Sequence, residues 1–166
     1  MNIINLIGYS GSGKTFLIKT AIERLKNELD MDSAVIKNIH EHQIDKEGKD
    51  SFIYTQFGAN YAITKNIYDE TTIFTKKPIE IIKLITWLEK GPFNMDVVFI
   101  EGFRDVEKPT ILCLEDIDEF QEQYNKHIVM ISGILSSKSD LNELENIPII
   151  NIEKEFEKFT KIFGLR

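Results

Sequence analysis

Cysteine is nearly absent. Cys113 is the only one in 166 residues, so no intramolecular disulfide can staple the fold, and its setting in Thr110-Ile111-Leu112-Cys113-Leu114 reads as that of a small buried hydrophobe. Arginine is scarce as well: only Arg24, Arg104 and Arg166 occur among 20 basic residues, which leaves little supply for a lid that clamps a phosphoryl group with several guanidiniums. No apolar run approaches the roughly 20 residues that cross a bilayer, and Met1 leads straight into a strand-like segment without a basic and apolar leader. A cytoplasmic protein with no membrane partner is expected. Positive charge is outweighed, 20 residues against 27, and the net charge of -7 argues against a broad nucleic-acid footprint and leaves a small polyanion as the expected ligand. No linker of Gly, Ser and Pro divides the chain, and its 42% hydrophobic content supports an ordinary core, so residues 1–166 are expected to form a single nucleotide-binding domain.

What is present begins at residue 8. Gly8-Tyr9-Ser10-Gly11-Ser12-Gly13-Lys14-Thr15 completes the pattern Gly-x-x-x-x-Gly-Lys-Ser/Thr, the phosphate-binding loop. Its glycines let the backbone curl so that N–H groups point at phosphate oxygens, Lys14 adds a charge on the β and γ phosphates, and the Thr15 hydroxyl is offered to Mg2+. The pattern gains meaning from its flanks. Asn2 to Ile7 is a β-branched-rich strand, and Phe16 to Leu29 carries Leu17, Ile18, Ala21, Ile22, Leu25 and Leu29 at helical spacing. The helix therefore begins at the loop, with free amides and a positive dipole end at the phosphates, and Gly8 to Phe16 is the expected nucleotide-binding segment.

Strand and helix patterns alternate along the rest of the chain. Ser33 to Ile39 reads as a second strand followed by a polar loop, His40 to Asp50, and Ser51 to Phe57 as a short helix stopped by Gly58. Tyr61 to Thr64 and Thr71 to Phe74 read as two short strands, a β-hairpin excursion around residues 60–77 suited to contact with another subunit. Pro78 is placed in the first turn of a helix that ends at Gly91-Pro92. Strands Val97–Ile100, Ile111–Leu114, Ile128–Ile131 and Ile147–Ile152 follow, with a weak acidic helix over Asp116–Tyr124 and a closing helix over Glu153–Phe163. Strands that are apolar throughout require a sheet covered on both faces, so the fold class is α/β, a P-loop NTPase-like, mostly parallel sheet flanked by helices.

A site of this kind needs an acidic residue at the carboxyl end of a neighbouring strand to hold Mg2+. In Asp96-Val97-Val98-Phe99-Ile100-Glu101-Gly102, Asp96 enters the strand and Glu101 leaves it; with parallel strands only Glu101 emerges beside Thr15, and Asp96 reads as a strand-entry residue. Lys14 and Glu101 are the candidate catalytic residues, Thr15 and Glu101 the candidate metal ligands. The loop after the second strand adds His40, Glu41, His42, Asp45, Lys49 and Asp50. His40 and His42, one residue apart, suit either a metal pair or two exposed loop side chains, while Asp45 or Asp50 suits orientation of a water or contact with Mg2+, and Lys49 a phosphate or acidic partner.

The segments Gly8 to Thr15, Lys37-Asn38-Ile39-His40, Gly48-Lys49-Asp50-Ser51 and Glu101-Gly102-Phe103-Arg104, in this order and spacing, resemble the molybdopterin-guanine dinucleotide biosynthesis protein B family, MobB. The resemblance implies a GTP-binding protein with weak Mg2+-dependent GTPase activity, usually a homodimer, that assists the nucleotidyltransferase MobA in converting molybdopterin to its guanine dinucleotide form. By matching position, Gly8 to Thr15 would hold phosphates and Mg2+, Glu101 would be the acidic strand-end residue, and His40, Gly48, Lys49, Asp50 and Ser51 would lie in the loop near the nucleotide. Asn38 and Glu41 stand where the family often has histidine.

Ser137-Lys138-Ser139-Asp140 faintly resembles the guanine-reading Asn-Lys-x-Asp motif, but a solvated turn opening onto Leu141 is the stronger reading. Three functions fit the residues: a slow MobB-like GTPase, a small-molecule P-loop kinase, and a nonenzymatic nucleotide-dependent adaptor.

Overall fold

Five short apolar strands and the helices between them set the architecture of the computed structural model, which describes residues 1–166. The chain divides into two compact units, Met1–Asn38 with Leu88–Arg166, and Ile39–Trp87. In the first unit, β1 (Asn2–Ile7), β2 (Ser33–Lys37), β5 (Val97–Glu101), β6 (Thr110–Cys113) and β7 (Ile128–Ser132) form one sheet in the order β2-β5-β1-β6-β7. All pairings in it are parallel. The register places Leu6 of β1 and Lys37 of β2 on either side of Glu101 at the carboxyl edge.

Burial explains why the inner strands β1, β5 and β6 lack the alternation of a half-wet sheet, whereas β2 at the edge has no fully buried residue. Successive residues of β6 serve opposite faces: Ile111 and Cys113 join Leu17, Ala21 and Leu25 of α1 (Lys14–Leu29) and Phe156 and Phe159 of α6 (Phe156–Phe163), while Leu112 and Leu114 join Phe120, Ile131 and Leu135. Each fully buried Leu, Ile or Phe contributes on the order of 1.5–3 kcal/mol relative to exposure. Cys113 is fully buried, as its apolar neighbours implied. Burial pushes its thiol up to about 12. No helix is long and apolar enough to cross a membrane.

The second unit holds α2 (Asp50–Gln56), the antiparallel hairpin β3 (Ala62–Lys65) with β4 (Thr71–Phe74), and most of α3 (Ile81–Glu89). The hairpin lies within the span expected for it. Tyr61 stacks on Trp87 with ring centroids 6.3 Å apart, and Lys76 sits over the Phe52 ring at 3.0 Å.

Beyond shifts of one or two residues, such as β2 ending at Lys37 rather than Ile39, three elements differ from the sequence expectation. Pro78 lies outside α3, because the helical ladder starts at the Glu80 carbonyl, which accepts from Lys83 and Leu84 N–H. A proline is tolerated in a first turn but does not oblige the turn to start there. Ile147–Ile152 is not one strand. Glu145 and Asn146 adopt positive φ and turn the chain from β8 (Glu143–Leu144) into the antiparallel β9 (Ile147–Pro148), after which Ile149 bridges β7 in parallel. The closing helix begins at Phe156 rather than Glu153, because Asn151 gathers the preceding turn: its side chain accepts from Glu153 N–H and its carbonyl from Lys154 and Glu155 N–H. The acidic segment after β6 forms a 3-10 turn, Ile117–Glu119, and then α4 (Phe120–Gln123).

Candidate functional site

The loop Gly8–Thr15 joins the central strand β1 to α1. Space dictates its first glycine: a Cβ on Gly8 would lie 2.3 Å from the Cys113 carbonyl oxygen and 2.6 Å from Ser12 Oγ. Gly13, at φ 95°, turns the chain into α1, and the first helical bond runs from Leu17 N–H to the Gly13 carbonyl. The amides of Lys14, Thr15 and Phe16 are therefore left without helical acceptors at the positive end of the dipole. Lys14 Nζ donates to the Gly8 carbonyl at 2.9 Å and the Tyr9 carbonyl at 2.7 Å. Burial holds its pKa below the usual lysine value, with Cys113 and Glu101 pulling the other way. A shift of this sign marks an ammonium that gains from an anionic partner.

Glu101 ends β5 and is 6% exposed. Its Oε1 accepts from Lys37 Nζ at 3.0 Å, and the neighbouring backbone is pinned on both sides by Gly102 N–H to the Leu6 carbonyl and Asn38 N–H to the Glu101 carbonyl. Thr15, Lys37 and Glu101 line one groove of about 500 Å3. Asp96 lies at the opposite end of β5, where its carboxylate accepts from Asp32 N–H at 2.8 Å. Buried Asn5 of β1 donates to the Phe103 carbonyl and to Thr110 Oγ1, tying down the segment that follows Glu101.

Tyr9 projects from the loop with its hydroxyl donating to Glu122 at 2.9 Å, which raises its pKa. The Arg104 guanidinium sits 5.8 Å from the Tyr9 ring centroid and donates to Gln123 Oε1 at 2.8 Å. The one arginine of this region is thus engaged by Tyr9 and Gln123.

The candidates of the loop after β2 belong to the second unit. His40 and His42 are exposed, Gly48 has φ 86°, Lys49 precedes the first turn of α2 and Asp50 opens it, and Ser51 donates to Asp45 at 2.9 Å. No group of three His, Cys, Asp or Glu side chains converges anywhere, so the two histidines have no further ligands to complete a metal site. Ser137 and Lys138 end α5 (Leu135–Lys138), and Asp140 is exposed beyond it.

Two residues escaped the sequence reading. Lys37 stands in one of the segments that carry the family resemblance but has no role of its own until the parallel register sets it against Glu101. Gly133 follows β7 at φ 87°, and a Cβ there would lie 2.3 Å from the Ser12 carbonyl oxygen. The only sequence signal for it is a glycine directly after a buried strand.

A parallel sheet whose central strand feeds a glycine-rich loop and helix, with an acidic residue ending the adjacent strand, defines a P-loop-like α/β protein. The family model for MobB, described as molybdopterin guanine dinucleotide synthesis protein B, matches residues 3–134, and the chain belongs to that family. It is 34% identical over 136 residues to a molybdopterin-guanine dinucleotide biosynthesis adapter protein of Methanocaldococcus jannaschii, covering 79% of this chain and 54% of that relative. The chain thus spans about half the length of this archaeal relative. The adapter protein of the same name from Haemophilus influenzae is 33% identical over 129 residues, 71% of this chain and 70% of the relative. The fold is that of the crystal structure of Bacillus subtilis MobB, with a TM-score of 0.76 and 20% identity over 98% of each chain.

Proposed function

We propose that this chain is a GTP-binding accessory protein of molybdopterin guanine dinucleotide biosynthesis that hydrolyses GTP slowly with Mg2+. The observation that supports the reading is that Thr15, the last residue of the Gly8–Thr15 loop, and Glu101, at the carboxyl end of the neighbouring parallel strand, line one groove. The donor set suits Mg2+, which keeps several waters and needs few protein ligands: one hydroxyl, Thr15, and one carboxylate, Glu101. When bound, the ion would neutralise charge developing on the β and γ phosphates.

The chain's own groups supply the rest. The amides of Lys14, Thr15 and Phe16 offer donors to phosphate oxygens, and the Lys14 ammonium, now bonded to the Gly8 and Tyr9 carbonyls, is the group that meets the β and γ phosphates. Lys37 holds the Glu101 carboxylate at the edge of the sheet. Arg104 is bonded to Gln123, and no other arginine lies near the loop to stabilise a transferring phosphoryl group, which supports slow turnover. His40, Lys49 and Asp50 are assigned to the nucleotide by family position.

By analogy with the adapter proteins it resembles, the chain acts beside a MobA-like nucleotidyltransferase on molybdopterin, within the cytoplasm. A homodimer is supported by the exposed apolar residues of the hairpin region, Ile63, Ile67 and Tyr68. Phosphate release from Mg·GTP by purified protein, measured against Lys14→Ala, tests the enzymatic part. Release above the variant is expected. No difference, with GTP still bound, leaves a nucleotide-dependent adaptor; phosphate appearing on an added metabolite shows a kinase.

A further inference from the structure

Glu101 is the fixed partner of its ion pair and Lys37 the loose one. The carboxylate side chain is 8% exposed and its strand end is pinned by Gly102 N–H to the Leu6 carbonyl and Asn38 N–H to the Glu101 carbonyl. The Lys37 side chain, on the edge strand β2, is 48% exposed. We infer that Lys37 is a place-holder: it balances Glu101 while no Mg2+ is bound, yields the carboxylate to Mg2+ when the nucleotide arrives, and turns its ammonium to the γ phosphate. The inference rests on the proposed binding of Mg2+ and a nucleoside triphosphate at Gly8–Phe16.

Two cations compete for one carboxylate. The groove lined by Thr15, Lys37 and Glu101 has one other carboxylate, Glu23, and that residue lies two turns further along α1 than Thr15, about 12 Å down the helix axis. A divalent ion held by Thr15 therefore meets the carboxylate that Lys37 already occupies. An ammonium 3.0 Å from Glu101 repels a divalent ion brought to the same group, so the ion binds against that repulsion or the lysine moves away. The lysine is the part free to move, on a flexible four-carbon stem that water already reaches.

Strand order says where the ammonium goes. Mg2+ bridges β and γ oxygens, so the end of a triphosphate that lies by Thr15 and Glu101 is its terminal end. Lys37 stands beside Glu101 at the same carboxyl edge, outward in the order β1, β5, β2, and the γ phosphate is the anion this edge then presents to it. The charges around the loop agree with this direction. Burial lowers the Lys14 pKa first of all, and Lys37 and Arg104 lower it further against Cys113 and Glu101. The three cations thus act on one another with a single carboxylate among them, a surplus of positive charge that a triphosphate relieves.

Calorimetry on the full chain tests this, with GTP and GDP titrated at a series of Mg2+ concentrations into wild type, Lys37→Met, Lys37→Arg and Lys14→Ala. GDP has no γ phosphate to receive the ammonium, so the Mg2+ midpoint of its binding reads the competition alone. Lys37→Met is expected to lower that midpoint about three- to fivefold, the worth of a half-exposed ion pair, and Lys37→Arg, whose guanidinium forks the carboxylate, to raise it. At saturating Mg2+ the ratio of GTP to GDP affinity should fall about three- to tenfold in Lys37→Met and hold in Lys37→Arg. Lys37→Arg keeps the buried carboxylate paired, so the competition stays testable even if Lys37→Met unfolds. A GDP midpoint that does not rise in Lys37→Arg overturns the place-holder, and an unchanged GTP to GDP ratio in Lys37→Met overturns the transfer to the γ phosphate; both leave the phosphate loop standing. GTP binding no tighter in wild type than in Lys14→Ala overturns the phosphate-loop reading, and the place-holder with it.

Discussion

Gly133 offers a measurable link between the end of β7 and the phosphate loop. Replacing it by alanine does two things at once. At φ 87° an alanine must hold a left-handed backbone, which costs about 1 kcal/mol. Its Cβ must also displace backbone, because the Ser12 carbonyl oxygen would lie 2.3 Å away, the Leu114 carbonyl oxygen 2.9 Å and the Leu114 nitrogen 3.0 Å. None of these is a flexible side-chain end, so relief requires the loop or the strand end to move, at about 1–3 kcal/mol more. The expected loss is about 2–4 kcal/mol in all. Gly11→Ala is the control: φ is 83° and nothing lies within 4 Å of its Cβ, so only the conformational cost remains, about 1 kcal/mol. Urea unfolding of both variants measures the difference. Because Ile134 N–H also bonds the Ser12 carbonyl, Gly133→Ala should weaken the proposed GTP binding as well. Equal stability losses in the two variants, or undiminished GTP binding in Gly133→Ala, would refute the reasoning.

Lys37→Ala should cost about 1–3 kcal/mol, since it leaves the buried Glu101 carboxylate without its partner, and adding Glu101→Gln should recover most of the loss by denaturant unfolding. The low end applies if water reaches the exposed side of the pair, where Lys37 is 48% exposed. Cys113, raised by burial to about 12, is protonated in the folded state at pH values where the unfolded thiol has ionised. The folded state then binds more protons, so stability falls as pH rises from about 9 toward 12, by about 1.4 kcal/mol per pH unit. Comparison of wild type with Cys113→Ala across that range should isolate this slope, and parallel profiles would contradict it. Asn5→Leu removes both bonds that tie β1 to Phe103 and Thr110, with an expected loss of about 2 kcal/mol and faster amide exchange at Gly102–Arg104. Exchange unchanged there would show that Asn5 does not hold the segment.

Much of the site was legible because its signals are local or follow from strand direction. The phosphate loop is contiguous, and a β-branched strand before it with a helical pattern after it says which side carries free amides. Choosing Glu101 over Asp96 needed only that the strands be parallel, since their carboxyl ends then share an edge. The hairpin was legible from two β-rich runs at short separation. Where the reading failed, the residues had more than one way to satisfy their hydrogen bonds. The apolar run 147–152 splits between a hairpin and the sheet edge, and apolar pattern does not say which partner a strand will take. Pro78 permits a helix start without requiring one. The turn at Asn151 delays α6 through side-chain bonds that no periodicity records.

By itself the sequence determined the α/β class, the Gly8–Thr15 loop, the acidic strand end and the membership of a family, because each depends on spacing along the chain or on the direction of strands. Only the tertiary structure set Lys37 against Glu101 and Gly133 against Ser12. These pairs are separated by 64 and 121 residues in number, and register, packing and the partners of buried polar atoms, rather than any local preference, bring them together.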